Sequence, residues 1–365
     1  KTARVSNITN GGVNTGNSFS GKVTIERFIP QRRAWRLLTV PLQQAGSQTF
    51  NAAWQEGVVN PDFVYANRLD PHPGFGTLIT GPAGANGFDP SPMNNYSIQR
   101  FDPLAAAWSG IPNTHTLKVT DSAGYMVFVR GDRSTQIYLN TLAPTSHTIL
   151  RTNGFLKTNL QTTAVPAGIG PFSLVGNPYP SSIDLRQVST TGGVSGVNYV
   201  VWDPSLTGTN GVGAYQYLTR SGGPGSDYLV FPGNSALGGG SYGAAFSVNN
   251  TIQSSQAFFV QNAGAGSVGI NENAKIVPNS STVFRPMTPR RPAFGYISTL
   301  LMFENGHVDS LQLVDGALMM YNDNYSDAID LEDARKMQNF SSENFGILSS
   351  DHWMQIEKRS RITDA

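Results

Sequence analysis

Four aspartates near the carboxyl end form the densest group of side chains that could do chemistry. They are Asp323, Asp327, Asp330 and Asp333, and Glu332 lies among them. Carboxylate oxygens at this density are the ligands that calcium takes in proteins, so one interpretation is a calcium site. The spacing and the turn glycine of an EF-hand loop are absent. The competing interpretation, helix capping with solvated charge, fits the spacing better.

Glycine-rich segments supply the remaining patterns that are typical of enzymes. The sequence GGSYG at 239–243 matches the G-x-S-x-G pattern, but a nucleophile elbow needs a strand, a turn and then a helix. Here a strand pattern follows a glycine run. Two G-x-G-x-x-G matches, at 238–243 and 264–269, likewise open no helix that would hold a phosphate. We therefore predict a non-enzymatic protein with no catalytic residue and no cofactor apart from the calcium considered above.

Two tryptophans lie in a long, weakly patterned segment between residues 51 and 112. Trp54 and Trp108 could offer flat aromatic faces for stacking on a sugar ring. Segments of this length with little regular pattern are often functional. The competing interpretation is that both rings belong to the hydrophobic core, where large aromatic side chains contribute most to packing.

The composition excludes several classes of protein. A net charge of +1 over 365 residues gives no electrostatic case for nucleic-acid binding. The chain has no apolar run long enough to span a bilayer as a helix, and without cysteine it has neither disulfides nor a thiolate nucleophile. Few charged residues (13%), with 39 Gly and 22 Pro, are typical of an extracellular β protein with many loops.

The elements that must position these residues are strands. Between residues 174 and 261, four short apolar runs are separated by Gly, Pro, Asn, Asp and Ser. The runs are rich in β-branched and aromatic residues, which favour a packed sheet. None of them is long enough for a good amphipathic helix. The sequence therefore predicts an all-β fold.

The proline-rich run FRPMTPRRP predicts a boundary between two domains. We expect an extended leader or linker at 1–21, a large β-sandwich with loop insertions at 22–285, a spacer at 286–292 and a smaller sandwich at 293–365. Both sandwiches would be immunoglobulin-like or jelly-roll-like and follow each other in series. The smaller one would contain the one helix, at 327–338, with a cap at its start and an i,i+4 pair of Glu332 and Lys336.

Several segments, taken in order, resemble a known family. They include GNPYPSSIDL, VWDP, AYQYL and IQSSQAFFVQ, flanked by ERFIPQRRAWRLLTVPL and GYMVFVRGDRS upstream and by DGALMMYNDNYSDAIDLEDARKMQN and WMQIEKRSR downstream. Together they resemble the carboxyl-terminal region of large cell-surface proteins of Bacteroidota that the type IX secretion system exports. The resemblance covers nearly all of the chain after residue 26. It is specific as an ordered set, whereas each motif is weak by itself.

The resemblance implies a place and an architecture more than an activity. It implies an adhesin-like protein of the cell surface or extracellular space, of which this chain would be one part. These bacteria attach O-glycans at short Asp-Ser/Thr-apolar sequences, which points to Ser122 and Ser310 as glycosylation sites. The competing interpretation is chance, because such tripeptides are common.

The function expected from these observations is a structural or adhesion module without enzymatic activity. The smaller sandwich would lack a strand, so another copy could add one, with residues 1–21 as the donor, and build a homo-oligomer or filament. An equally open alternative is that the missing strand follows in a longer protein. The competing function is a carbohydrate-binding module that takes surface glycans, or part of a secreted glycan-degrading enzyme.

Overall fold

Strands dominate the fold, and the all-β prediction is confirmed. The computed structural model describes residues 4–9, 13, 16–43, 48–57, 76–82, 86–119, 123–135, 137, 144–168, 170–204, 206, 212–220, 222–223, 225–233, 250–276, 295–304, 311–340 and 343–361. Among these residues, the helical segments are α1 (Phe50–Ala53) and two single 3₁₀ turns, Leu185–Gln187 and Glu272–Ala274.

The described strands follow one another along the whole chain. They are β1 (Val23–Ile29), β2 (Ala34–Thr39), β3 (Ile98–Asp102), β4 (Ala107–Gly110), β5 (Gly124–Val129), β6 (Thr148–Gly154), β7 (Gln161–Val165), β8 (Phe172–Gly176), β9 (Ile183–Asp184), β10 (Ser189–Asp203), β11 (Ala214–Arg220), β12 (Tyr228–Phe231), β13 (Thr251–Ile252), β14 (Ala257–Ile270), β15 (Gly295–Glu304), β16 (Leu311–Tyr321), β17 (Ala334–Arg335), β18 (Ile347–Ser349) and β19 (His352–Arg359).

Three sheets carry the architecture. The amino-terminal sheet has the order β2-β5-β3-β4, and the central sheet has the order β12-β11-β10-β14-β7 with β8 also paired to β14. The carboxy-terminal sheet has the order β15-β16-β19-β17, and β18 also pairs with β19. Its β16 and β19 run parallel, while every other described strand pair is antiparallel. Two smaller pairs, β1-β6 and β9-β13, complete the pairing of the described strands.

Both faces of the central sheet are buried over residues 198–203 of β10, 214–219 of β11 and 257–262 of β14, which explains the largely apolar runs there. In β10, Tyr199 and Val200 belong to two different core clusters, and Phe258 and Phe259 of β14 divide in the same way. Successive side chains of a strand point to opposite faces of the sheet. A strand that is covered on both sides therefore needs apolar residues at every position rather than at alternate positions.

The amino-terminal sheet is also covered on both faces. On one face, Leu37 and Met126 pack towards the central sheet. On the other face, Leu38 and Val127 pack with the β1-β6 pair and with the segment around α1. Because the two sets alternate along β2 and β5, the sheet acts as a middle layer between two cores.

The carboxy-terminal sheet contributes to the same core as the central sheet. Leu318, Met320 and Ile356 belong to the cluster that also contains Trp202 and Tyr215. Hydrogen bonds reinforce this contact, such as those from the Asn198 amide to the main-chain oxygens of residues 331–333, at 3.0–3.1 Å. One core cluster thus contains residues of both sheets, and the division into two domains stays a prediction. The predicted spacer at 286–292 lies outside the described residues.

The helix predicted at 327–338 is absent, so this prediction is wrong. The segment forms turns and bends that lead into β17. Lys336, expected to pair with Glu332 on a helix surface, instead reaches the buried carboxylate of Asp315 at 2.5 Å. Local helix propensity is a weak preference that burial in tertiary structure overrides.

Candidate functional site

Trp108 lies in a group of rings between the amino-terminal and central sheets. We call Trp35, Trp108, Trp202 and Phe340 the aromatic cluster. The ring centroid of Phe340 lies 5.3 Å from that of Trp35, 5.5 Å from that of Trp202 and 6.1 Å from that of Trp108. Phe340 is 38% exposed, and Trp35 and Trp108 are half-buried. The cluster therefore has an outer rim at the protein surface.

Strand register positions these rings. Trp35 of β2 lies opposite Phe128 of β5, and Trp108 of β4 lies opposite Phe101 of β3. Directly opposite residues share one face of a sheet. The rings of Trp35, Phe128, Trp108 and Phe101 therefore all lie on the face that packs against the central sheet. There Phe259 of β14 meets Phe101 at 5.0 Å and Trp108 at 5.8 Å, edge to face in both cases. Burial of Phe259 thus fixes the inner side of the cluster.

The chemistry that this rim offers is stacking on an apolar surface. Phe340 and Trp35 are nearly parallel, with an interplanar angle of 19°. Aromatic walls with a few polar groups are typical of binding sites for small ligands. The rim therefore offers flat apolar faces on which a ligand could stack.

Trp54 does not share this rim. It is 1% exposed and follows α1, where it contacts Phe50 at 5.3 Å and Tyr125 at 5.9 Å. These rings belong to the core on the other face of the amino-terminal sheet. A ring with no open face cannot stack on a sugar, so the structure favours the core interpretation for Trp54. The two predicted stacking residues do not form one platform.

The predicted calcium ligands do not converge. Both carboxylate oxygens of Asp333 accept main-chain hydrogen bonds, from Lys358 at 2.7 Å and from Asp330 at 3.0 Å. Asp327 accepts hydrogen bonds from Ser360. Asp330 accepts one from the main chain of the same loop, and Asp323 lies on the surface near an arginine. Among the described residues no group of three His, Cys, Asp or Glu side chains could hold a metal.

Part of the predicted leader is bound to its own chain. The buried carboxylate of Glu272 accepts a hydrogen bond from the main chain of Ile8 and another from the hydroxyl of Thr9, each at 2.7 Å. The same carboxylate pairs with Lys275 at 2.8 Å. Val5 donates from its main chain to the oxygen of Pro180 at 3.2 Å. Residues 4–9 are therefore docked rather than free to serve as a donor strand.

Arginines are dense beside the first two strands. Burial is the main cause that lowers the pKa of Arg27 and of Arg36 to about 10, and the charges of Arg27 and Arg32 lower the pKa of Arg36 further. Asp203 acts in the opposite direction on Arg36. In a chain with only 13% charged residues, this run of arginines is a sequence signal for anion binding. The arginines lie in the segment ERFIPQRRAWRLLTVPL, and the signal is the charge density of this segment rather than its resemblance to a family.

Strand β15 forms one edge of the carboxy-terminal sheet. Within the described part of the chain it pairs with β16 alone, over its whole length. Tyr296 is 39% exposed, Ile297 is 54% exposed and Met302 is 36% exposed. Tyr296 and Ile297 are neighbours and therefore point to opposite faces. Both faces of this edge thus present apolar side chains to solvent.

The predicted glycosylation sites, Ser122 and Ser310, lie outside the described residues. Glycosylation at either position stays a prediction.

Comparison with known proteins gives no assignment. No protein-family model, no curated protein and no solved structure matches the chain. In the described residues, none of the helices has the length and apolar character that crossing a membrane requires.

Proposed function

We propose that this protein is a non-enzymatic structural or adhesion module of the bacterial cell surface or extracellular space, and that it joins further copies of itself by strand addition. The observation that carries the proposal is the edge of β15, which pairs with β16 alone among the described residues and exposes Ile297. An unpaired edge strand presents a row of main-chain donors and acceptors to another chain. Its exposed apolar side chains add hydrophobic contact to that pairing.

The edge is long enough to guide a specific contact. Its ten residues pair with β16 from Gly295 to Glu304, which is longer than most strands of globular proteins. Natural proteins protect such edges with charges, prolines or bulges. A bulge is present on the paired side, between Leu301 and Met302, whereas Tyr296 and Ile297 leave the outer edge apolar.

The place in the cell rests on the family resemblance. Of the resembling segments, VWDP ends β10, AYQYL lies in β11 and the second half of IQSSQAFFVQ lies in β14, and these three strands belong to one sheet. GNPYPSSIDL runs from the end of β8 through β9. Asn177 holds the segment GNPYPSSIDL in place: its amide donates to the main-chain oxygens of Ser181 at 2.8 Å and Gln253 at 3.0 Å. These contacts fix the conformation of the segment in this chain. Export by a type IX system and the division into two sandwich domains remain parts of the proposal.

Sedimentation velocity over a range of protein concentrations tests the assembly. We expect the unaltered chain to form larger species as concentration rises, and Ile297→Lys to stay monomeric because a charge blocks edge pairing. Leu104→Lys is the matched control, since Leu104 is equally exposed in a turn of the amino-terminal sheet. Equal assembly of all three proteins would contradict the proposal.

A deletion of residues 1–21 tests whether any part of the leader other than the docked residues 4–9 is the donor. Thermal unfolding of the deleted chain is the folding control, because Glu272 loses its contacts with Ile8 and Thr9. If the leader of one copy adds to β15 of another, the deleted chain will not assemble. If β15 pairs with β15 of a second copy about a two-fold axis, the deleted chain will still form dimers, and a closed dimer rather than a filament is expected.

A carbohydrate-binding module is the second candidate, and the rim of the aromatic cluster favours it. Trp108→Ala removes a half-buried ring from this rim, whereas Trp54→Ala alters only a buried one. Binding to a glycan array that is lost in the Trp108 variant, and kept in a folded Trp54 variant, would favour this candidate.

A further inference from the structure

A cavity of about 160 Å³ lies at the end of the amino-terminal sheet. Two guanidinium groups border it, from Arg33 just before β2 and from Arg130 just after β5. Ser91 and Asn95 add polar groups to the lining, and Met93 adds an apolar surface. A mixed lining of apolar surface and a few polar groups is typical of ligand sites.

Among the described residues, no carboxylate pairs with either of the two positive charges, those of Arg33 and Arg130. Both guanidinium groups lie over the ring of Phe128, with their central carbons 5.7 Å and 4.4 Å from its centroid. The ring holds the two cations near each other by cation–π attraction. Two neighbouring like charges favour an anion between them.

Arg130 also has unused hydrogen-bonding capacity. Its Nη1 is buried and has no hydrogen-bond partner among the described residues. Burial, and after it the charge of Arg33, lowers the pKa of Arg130 to about 10, so the group is still charged at neutral pH. A buried charged donor without a partner is costly, and a carboxylate or similar oxyanion would satisfy it with short, charge-assisted hydrogen bonds.

We propose that this cavity binds an oxyanion, and specifically the carboxylate of an acidic sugar residue, with Arg33 and Arg130 on its oxygens. The cavity opens to solvent beside the exposed side chains of Arg33, Met93 and Asn95, so a sugar ring can enter there with part of it outside the cavity. Ser91 and Asn95 line the same cavity and would supply hydrogen bonds to sugar hydroxyls. The cavity lies on the amino-terminal sheet, so the proposal is independent of strand addition at β15.

Isothermal titration calorimetry with three probes tests the site. Glucuronate carries the carboxylate on a sugar ring, glucose carries the ring alone, and inorganic sulfate is an oxyanion alone. We expect glucuronate to bind and glucose to show no binding. Tighter binding of glucuronate than of sulfate assigns the site to acidic sugars, and equal binding assigns it to a free oxyanion.

Substitutions of Arg33, the exposed arginine of the pair, test whether glucuronate binds in the cavity. Arg33→Gln should weaken glucuronate binding by about tenfold or more through loss of a charged, two-point contact, and Arg33→Lys should fall in between. Arg100→Gln is the matched control, because Arg100 is exposed on β3 of the same sheet and does not line the cavity. Unchanged binding in Arg33→Gln, binding of glucose as tight as that of glucuronate, or no binding of either anion would overturn the proposal.

Discussion

Strands β14 and β15 have similar apolar sequences and opposite surroundings. The first part of β14, AFFVQ, is fully buried, with β10 on one side and β8 on the other. Strand β15, GYISTLLMF, has one described neighbour and exposes Tyr296 and Ile297. Apolar content therefore predicts a strand in both places but does not predict how many neighbours the strand has. An apolar strand with a free edge is where a partner is expected.

The largest expected difference between the two strands is in stability. Phe259 of β14 is fully buried and contacts four other rings. Phe259→Ala should lower the free energy of unfolding by about 3–5 kcal/mol, because a large cavity is left behind. Ile297→Ala in β15 is the comparison and should cost about 1 kcal/mol or less. If chemical denaturation shows equal losses of unfolding free energy for Phe259→Ala and Ile297→Ala, the expected difference between the two strands is wrong.

A second prediction concerns the core that the carboxy-terminal sheet shares. Lys336 and Asp315 form an ion pair at 2.5 Å, and both side chains are fully buried. Lys336→Met should cost about 3 kcal/mol or more, because it leaves the carboxylate buried without its cation. A double variant with Asp315→Asn should lose less than the sum of the two single losses, since neither charge is then left unpaired. Additive losses in urea unfolding would contradict this.

Glu272 binds the docked residues 4–9 and should make the stability of the fold depend on pH. Burial raises the pKa of this carboxyl, but hydrogen bonds from Lys275, Ile8, Thr9 and Asn159 outweigh it and lower the pKa to about 2. The folded pKa lies below the ordinary value of 4.5, so this stability is present above pH 4.5 and is lost as the pH falls towards 2. The loss should approach about 3 kcal/mol, from 1.36 kcal/mol per pKa unit.

Thermal unfolding between pH 2 and pH 5 measures this effect. Glu272→Gln should be less stable at neutral pH, and its stability should fall less over that interval. Glu26→Gln is the control, since Glu26 pairs with Arg151 at the surface and contributes little. If Glu272→Gln keeps the full pH dependence of the unaltered chain, the leader is not held as described.

The smallest expected effect is on the stability of the monomer when the β15 edge is charged. Ile297 is 54% exposed, so Ile297→Lys should change the free energy of unfolding by less than about 0.5 kcal/mol. Measured at low concentration, this separates a role in assembly from a role in folding. A large loss of stability would mean that β15 is part of the core after all.

Strands were predictable from the sequence because their signal is local. Runs such as AYQYL and GYMVFV contain β-branched and aromatic residues between turn residues, and they form β11 and β5. The packing of the sheets against one another was not predictable. A strand with apolar residues at every position does not indicate which face packs against which other sheet. The pairing of β2 with β5, about ninety residues apart, depends on long-range packing.

Two predictions differ from the structure for physical reasons: the helix at 327–338, and the common platform of Trp54 and Trp108. Residues 327–338 carry helix-capping side chains, yet the carboxylate of Asp333 binds the main chain of Lys358 on β19. Trp54 and Trp108 lie in one loop-rich segment, but the amino-terminal sheet separates them. The cavity between Arg33 and Arg130 could not be located without the fold, because it depends on β2 and β5 being neighbours.

Hydrogen–deuterium exchange at two protein concentrations tests the proposed assembly most directly. Strand addition protects the free main-chain amides of an edge strand, while a strand inside a sheet is already protected. We predict that peptides covering β15 exchange more slowly at the higher concentration and that peptides covering β14 do not change. Exchange of β15 at the same rate at both concentrations, under conditions where larger species are present, would contradict assembly through this edge.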